Sequence, residues 1–233
     1  MSHLHIPDGV LPPLVWIAGA LLAALVLLLS SRHVRGYGPR EIAFQSALGG
    51  IMLAVMAIPV PITAFDYCMT LAGPVGVLLG AAGAFQASFV VTVILALMGQ
   101  GGFTVIGLNT LVLGAGAAIA RPLYVTLVRR MSPAAAMAAA TAVSQLFSSA
   151  LWVGVLALSV RLSPASGGEH EVAHALTWLR GGAVLAVLLP MLGGAVAIES
   201  MLGFGLARFL DRVRPDLLPG RVGVPAAAGE FVP

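Results

Sequence analysis

Three side chains capable of chemistry stand within six residues of one another near the start of the chain: His3, His5 and Asp8, in "MSHLHIPDG". An α-amine followed closely by histidine is a chelator by geometry. The amine, a deprotonated backbone amide and imidazole Nδ1 close fused rings around one ion. Met1-Ser2-His3 puts histidine at position three, and removal of Met1 puts it at position two. Nitrogen donors in a flat arrangement suit Ni(II), Cu(II) or Co(II). The bland alternative is that His3 and His5 are exposed polar residues ahead of an apolar run. A second constellation, "HEVAH" at 170–174, matches a zinc-protease pattern. On a helix, His170 and His174 share a face and Glu171 can activate water. It sits beside Gly167-Gly168 in a loop, with no further ligand cluster after it. That context favours a solvated polar loop, or one that attracts cations, over a membrane zinc metalloprotease.

The elements that must position these groups follow from composition. Of 233 residues, 59% are hydrophobic and 9% charged, and the mean hydropathy is +1.02. Soluble domains carry about 25% charged residues; 9% cannot cover a water-facing surface of this size. The chain therefore reads as an integral membrane protein. Lipid offers no partner to free backbone groups, so the choice is helix bundle or closed barrel. Continuous apolar runs such as 14–30 lack the alternation of a barrel strand. The fold class is all-α: a polytopic membrane helix bundle. Every basic residue is arginine. Without lysine no standard Walker A site can form, so any ATP use belongs to a partner. The single cysteine, Cys68, excludes an intrachain disulfide, and the lack of interleaved basic and aromatic residues argues against nucleic acid.

Apolar periods predict seven spans near 11–31, 41–60, 71–84, 85–100, 105–128, 133–160 and 177–208. The third and fourth are short and Gly-rich, and are alternatively one kinked or re-entrant element. Arg32, Arg35 and Arg40, then Arg129 and Arg130, then Arg208, Arg212, Arg214 and Arg221 follow the first, fifth and seventh spans. Under the positive-inside rule these clusters are cytoplasmic, which puts the N-terminus outside and the C-terminus inside. The first span lacks a basic residue before it, unlike a signal peptide, and is expected to be retained. Residues 1–10, 61–69 and 162–176 then face outward. Residues 1–210 form the membrane domain, and 211–233 a cytoplasmic Pro/Gly-rich tail. Small residues recur at intervals of four on the second span, Ala43, Ala47, Gly50 and Ala54, where they permit close helix approach. Glu199 in the last span is costly unless paired or wet; Arg121 is a candidate partner. Asn109 is suited to an interhelical hydrogen bond.

"HIPDGVLPP" closely resembles the start of the substrate-capture component of energy-coupling-factor cobalt and nickel transporters, the CbiM/NikM family. "QGGFTVIGLNTL", with Gly101, Gly102, Thr104, Gly107 and Asn109, resembles that family's Gly-Gly-Leu-Thr-x-x-Gly-x-Asn segment. Pro59–Pro61 and the Glu199 stretch fit more weakly, and the resemblance spans about 5–215. It implies seven helices with an outside N-terminus, as the arginines do independently. It also implies a metal held by the N-terminal amine, by the amide nitrogen and imidazole of a second-position histidine, and by a histidine in the loop after the second span. The first histidine carries over onto His5 if the chain starts at Leu4, where the family has its initiator Met. Otherwise Ser2-His3 forms the chelate and His5 adds a donor. Tyr67 occupies the position of the loop histidine, and its neighbours Asp66 and Cys68 offer oxygen and thiolate.

The resulting expectation is a multi-pass protein of the inner (plasma) membrane that captures Co2+ or Ni2+ as transported substrate. His5, His3, Tyr67, Asp66 and Cys68 form the metal site, with Asp8 and Asn109 orienting the N-terminal segment. The resemblance implies a transmembrane coupling subunit, docked on the Ala43–Ala54 face, and ATP-binding subunits. The cobalt branch would serve cobalamin synthesis. The rival readings are the HEVAH protease and a relative that has lost its metal site.

Overall fold

In a computed structural model of the chain, residues 6, 8, 9, 11–58, 60–62, 65–162 and 182–220 are described. They form six helices: α1 (Pro13–His33), α2 (Pro39–Met56), α3 (Ala72–Leu97), α4 (Ile106–Leu127), α5 (Pro133–Leu162) and α6 (Gly182–Val213). A small antiparallel hairpin, β1 (Val60–Ile62) and β2 (Phe65–Tyr67), lies between α2 and α3, with Val60 opposite Tyr67. Proline opens α1, α2 and α5; its fixed φ suits the first turn, where its missing N–H costs nothing. Leu14, Leu21, Leu25 and Leu28 of α1 are exposed. A helix apolar on its outer face as well as its inner one fits lipid rather than water. Among the described residues, five helices are long and apolar enough to cross a bilayer: α1, α3, α4, α5 and the 190–213 part of α6. In α2, Arg40, Glu41 and Gln45 dilute the apolar content.

Helix α3 is not a simple span. Its Gly80 has φ 74° and ψ 178°, a combination open essentially to glycine alone. Neighbours on α4 show what the break does. Gly73 abuts Thr141 of α5, Gly76 the backbone of Ala117, and Gly80 the guanidinium of Arg121. Past the break the order reverses: Phe85 packs on Gly114, and Thr92 bonds Thr110 at 2.7 Å. Residues 72–79 thus run parallel to α4 and 81–97 antiparallel to it. The longer arm runs alongside α2 in the same direction. Gln45 Nε2 donates to the Gly83 carbonyl and to Gln86 Oε1, each at 3.1 Å, and further along Leu53 and Ile94 line one groove between the two helices. The region expected as two short spans, or alternatively as one kinked element, is a half-helix of about 12 Å joined to a longer arm. The reversal falls at Gly80, a few residues before the 84/85 boundary drawn from the sequence.

The arginine-bearing ends converge. Tyr37 lies against Gly83 and Arg121. Phe44 and Leu48 pack with Val77, Leu78, Tyr124, Met137, Ala207 and Leu218. Asp216 pairs with Arg214 at 2.8 Å; the hydrogen bond from Arg214, and to a lesser extent the charges of Arg214 and Arg40, hold its carboxyl below the usual carboxylate range. Arg40, the α4–α5 connection and the end of α6 therefore share one end of the bundle. The last helix continues beyond 208 to Val213, and Leu218 is buried behind it.

Candidate metal-capture end

The opposite end is organised around the N-terminal segment. Ile6 is 1% exposed and packs with Leu11, Val15, Val105 and Leu108; burying such a side chain contributes about 1.5–3 kcal/mol. Its peptide groups are read by one side chain. Ile6 N–H donates to Asn109 Oδ1 at 3.0 Å, and Asn109 Nδ2 donates to the Ile6 carbonyl at 3.3 Å. That carbonyl also accepts from Gly102 N–H at 3.2 Å. An asparagine presenting donor and acceptor together imitates a neighbouring strand, so the segment is docked as if paired in a sheet.

Two residues on, Asp8 folds onto the α3–α4 connection. Its carboxylate accepts from Phe103 N–H at 2.9 Å, from Thr104 N–H at 2.8 Å and from the Thr104 hydroxyl. The Thr104 hydroxyl, against a smaller opposing effect of burial, and then the two backbone N–H groups hold the Asp8 carboxyl below its usual range. The glycines of "QGGFTVIGLNT" have separate tasks. Gly101 has φ 99°. Gly102 leaves room for Asp8, because a Cβ there would overlap the Asp8 carboxylate and backbone nitrogen. Gly107 lets α4 cross α1, where a Cβ would stand 2.6 Å from Cα of Ala20. The crossing fixes the start of α1 over α4, which brings Ile6 to Asn109.

The hairpin loop is tied down at both ends. On the near side, Gln100 Nε2 donates to the Ala57 carbonyl at 3.1 Å, linking the loop to the connection that holds Asp8. On the far side, Thr70 N–H donates to Glu199 Oε1 at 2.7 Å, and the Thr70 hydroxyl donates to Glu199 Oε2 at 2.9 Å. Gln145 Oε1 lies 3.4 Å from the same hydroxyl. Glu199 is fully buried. Arg121, the candidate partner from sequence, stands instead at the other end of the half-helix, beside Gly80. The two charges thus flank 72–79, acidic at its N-terminus and basic at its C-terminus, the arrangement a helix dipole favours.

Of the anticipated ligands, Cys68 is a buried free thiol two residues before Thr70. Asp66 and Tyr67 lie in β2, with Tyr67 opposite Val60. His3 and His5 lie outside the described residues, as do His170, Glu171 and His174. Asp8 and Asn109 both hold the N-terminal segment. Sequence reading missed Thr70, Gln100 and Gln145. A polar residue after the Asp66–Cys68 run and an amide before Gly101-Gly102 were the available signals. Ala43, Ala47, Gly50 and Ala54 are all exposed on α2, while its Met52 and Met56 face the core.

These features define a bundle of membrane-spanning character with one helix broken and reversed at Gly80 and an N-terminal segment docked on one end. Two solved proteins share the fold. A "Truncated Transition metal Transporter" superposes with TM-score 0.75 at 18% identity, covering 90% of this chain and 99% of that one. A "transition metal transporter" gives TM-score 0.73 at 18% identity, with coverage of 90% and 93%. Residues 5–217 match the CbiM family, described as the cobalt uptake substrate-specific transmembrane region, and the chain belongs to that family. No curated protein matches it.

Proposed function

We propose that this protein is the substrate-capture component of an energy-coupling-factor transporter that takes up Co2+ or Ni2+. The observation that carries the reading is the docking of Ile6 and Asp8 on Asn109, Gly102, Phe103 and Thr104. It costs an asparagine, a carboxylate and two close-approach glycines to hold a few residues that would otherwise be a loose end. Such investment makes sense if the residues just before Ile6 must be presented in one geometry. His5 is the residue immediately before. In this reading its imidazole and main-chain nitrogen, with an α-amine or with His3, supply the metal donors, and the Asp66–Cys68 loop closes the site. A flat set of nitrogen donors fits either metal.

In the same reading the arginine-rich end is cytoplasmic, so the N-terminal segment faces outward. Seven helical segments cross or enter the membrane, with 72–79 as the re-entrant one. The exposed Ala43, Ala47, Gly50 and Ala54 face of α2 receives the helices of a transmembrane coupling subunit, whose ATP-binding partners drive transport. Isothermal titration of purified protein with Co2+, Ni2+ and Zn2+ tests this, after mass determination of its amino terminus. Saturable binding of Co2+ or Ni2+ that disappears on amine acetylation together with H3A and H5A is expected. Unchanged binding after those modifications overturns the reading.

A further inference from the structure

The carboxylate of Glu199 lies on α6, well along the chain from the N-terminal segment, yet it bonds the residue that ends the hairpin loop. We propose that Glu199 is a positioning residue for the metal site, holding Cys68 and the loop bearing Asp66 and Tyr67 through Thr70. The inference rests on the proposed closure of the site by that loop.

Four observations converge on this role. Both carboxylate oxygens of Glu199 are engaged by Thr70, one of them by the backbone N–H as well as the hydroxyl. Gln145 of α5 approaches the same hydroxyl, so α5 and α6 meet at one loop residue. The next residue, Leu71, has φ 53°, a left-handed conformation that a branched side chain adopts only where its surroundings impose it. The Thr70 hydroxyl also accepts from Ala72 N–H at 3.3 Å, which gives the first free N–H of the half-helix a partner. The turn 70–72 is therefore fixed from outside, by a carboxylate, rather than by its own preference. Cys68 precedes this turn by two residues and is 5% exposed. With Gln100 holding Ala57 at the other end, the loop has two anchors among the described residues, and Glu199 supplies the carboxyl of one of them. Because Glu199 belongs to the last helix, a shift of α6 moves the loop directly. A capture site built this way senses the packing of the bundle.

Cys68 is the single cysteine, so thiol labelling of the full-length protein in detergent micelles reports the loop without any metal. E199A and T70V are expected to speed maleimide labelling of Cys68 by about tenfold or more, and T70S, which keeps the hydroxyl, to restore the slow rate. The same variants are expected to weaken Co2+ binding by about tenfold or more and to alter the visible absorption of bound Co2+, which a remote loss of stability does not change. E199Q serves where E199A does not fold, because it keeps one acceptor for the Thr70 N–H. Folded E199A and T70V with wild-type labelling rates overturn the inference whatever the metal result. Wild-type protein that binds neither Co2+ nor Ni2+ overturns the proposed function and the metal half of this inference together, and the labelling rates still decide whether Glu199 holds the loop.

Discussion

Replacing Asn109 by alanine tests the docked N-terminal segment most directly. The side chain makes two bonds to Ile6, at 3.0 and 3.3 Å, and Ile6 is buried. Their losses are unequal. The Ile6 carbonyl keeps its bond from Gly102 N–H, so removing Nδ2 costs about 1 kcal/mol, a typical net value for one hydrogen bond. The Ile6 N–H has no other acceptor among the described contacts. Leaving it buried and unpaired costs about 1–3 kcal/mol. The docked state is then weakened by about 2–4 kcal/mol. At about 1.4 kcal/mol per tenfold, its population relative to the undocked state falls about 30- to 700-fold. If metal binds only to the docked segment, apparent affinity falls by up to that factor, less wherever docking exceeds what binding needs. Calorimetric titration with Co2+ and Ni2+ measures it, with circular dichroism and a monodisperse size-exclusion profile establishing that the bundle is intact. A folded N109A protein whose affinity stays within about threefold of wild type refutes the reasoning, since the metal site would then not depend on where Ile6 is held.

Other expectations follow from the same geometry. G102A places a methyl group against Asp8, so it is expected to release the segment and mimic N109A in titrations while leaving the helices intact. The lowered carboxyl of Asp8 sets a pH dependence. A group whose folded pKa lies below its unfolded value stabilises above the unfolded value, about 3.9, and the contribution is lost as pH falls through the folded pKa. Hydrogen exchange at Phe103 and Thr104 is therefore expected to quicken below about pH 4 relative to the intrinsic rate, and D8N to show the same lost protection at neutral pH. G80A forces a Cβ into a conformation costing about 1–3 kcal/mol and to 2.9 Å from the Arg121 guanidinium; a clear drop in detergent melting temperature checks it. Enlarging the exposed α2 face with A47L is expected to leave Co2+ affinity unchanged and to abolish co-purification with a coupling subunit.

How much of this was legible in the sequence depended on the kind of interaction involved. Composition and arginine spacing dictated a membrane bundle because solvation is a bulk property that every residue reports. The convergence of Arg40, the α4–α5 turn and the end of α6 was readable for the same reason. Asp8 and Asn109 were singled out because polar groups beside apolar runs need partners. Their partners were not readable. Ile6 is recognised through its peptide groups, and a peptide group has no sequence signature. The break at Gly80 was also hidden. The segment 72–97 is rich in glycine, and which one reverses the chain is decided by what packs against it, here Arg121 at the arginine-bearing end.

The misassigned pairing of Glu199 with Arg121 carries the more general point. Two opposite charges within apolar helices suggest a salt bridge, since each alone is expensive in lipid. A broken helix offers a different solution. Its free N–H groups and its free carbonyls are themselves partial charges of opposite sign. An acid bonded just before its first turn and a base beside its last residue stand where those partial charges favour them, at opposite ends of a segment about 12 Å long. That arrangement also does what a direct pair cannot. It holds a group against each end of 72–79 within the bundle, so the hairpin loop before it has a firm base. Exchanging the two charges, with Arg at 199 and Glu at 121, preserves a direct pair but opposes the dipole at both ends. The exchanged protein is expected to melt below either single variant, and a melting temperature restored toward wild type would show that the two side chains act on each other rather than on the half-helix between them.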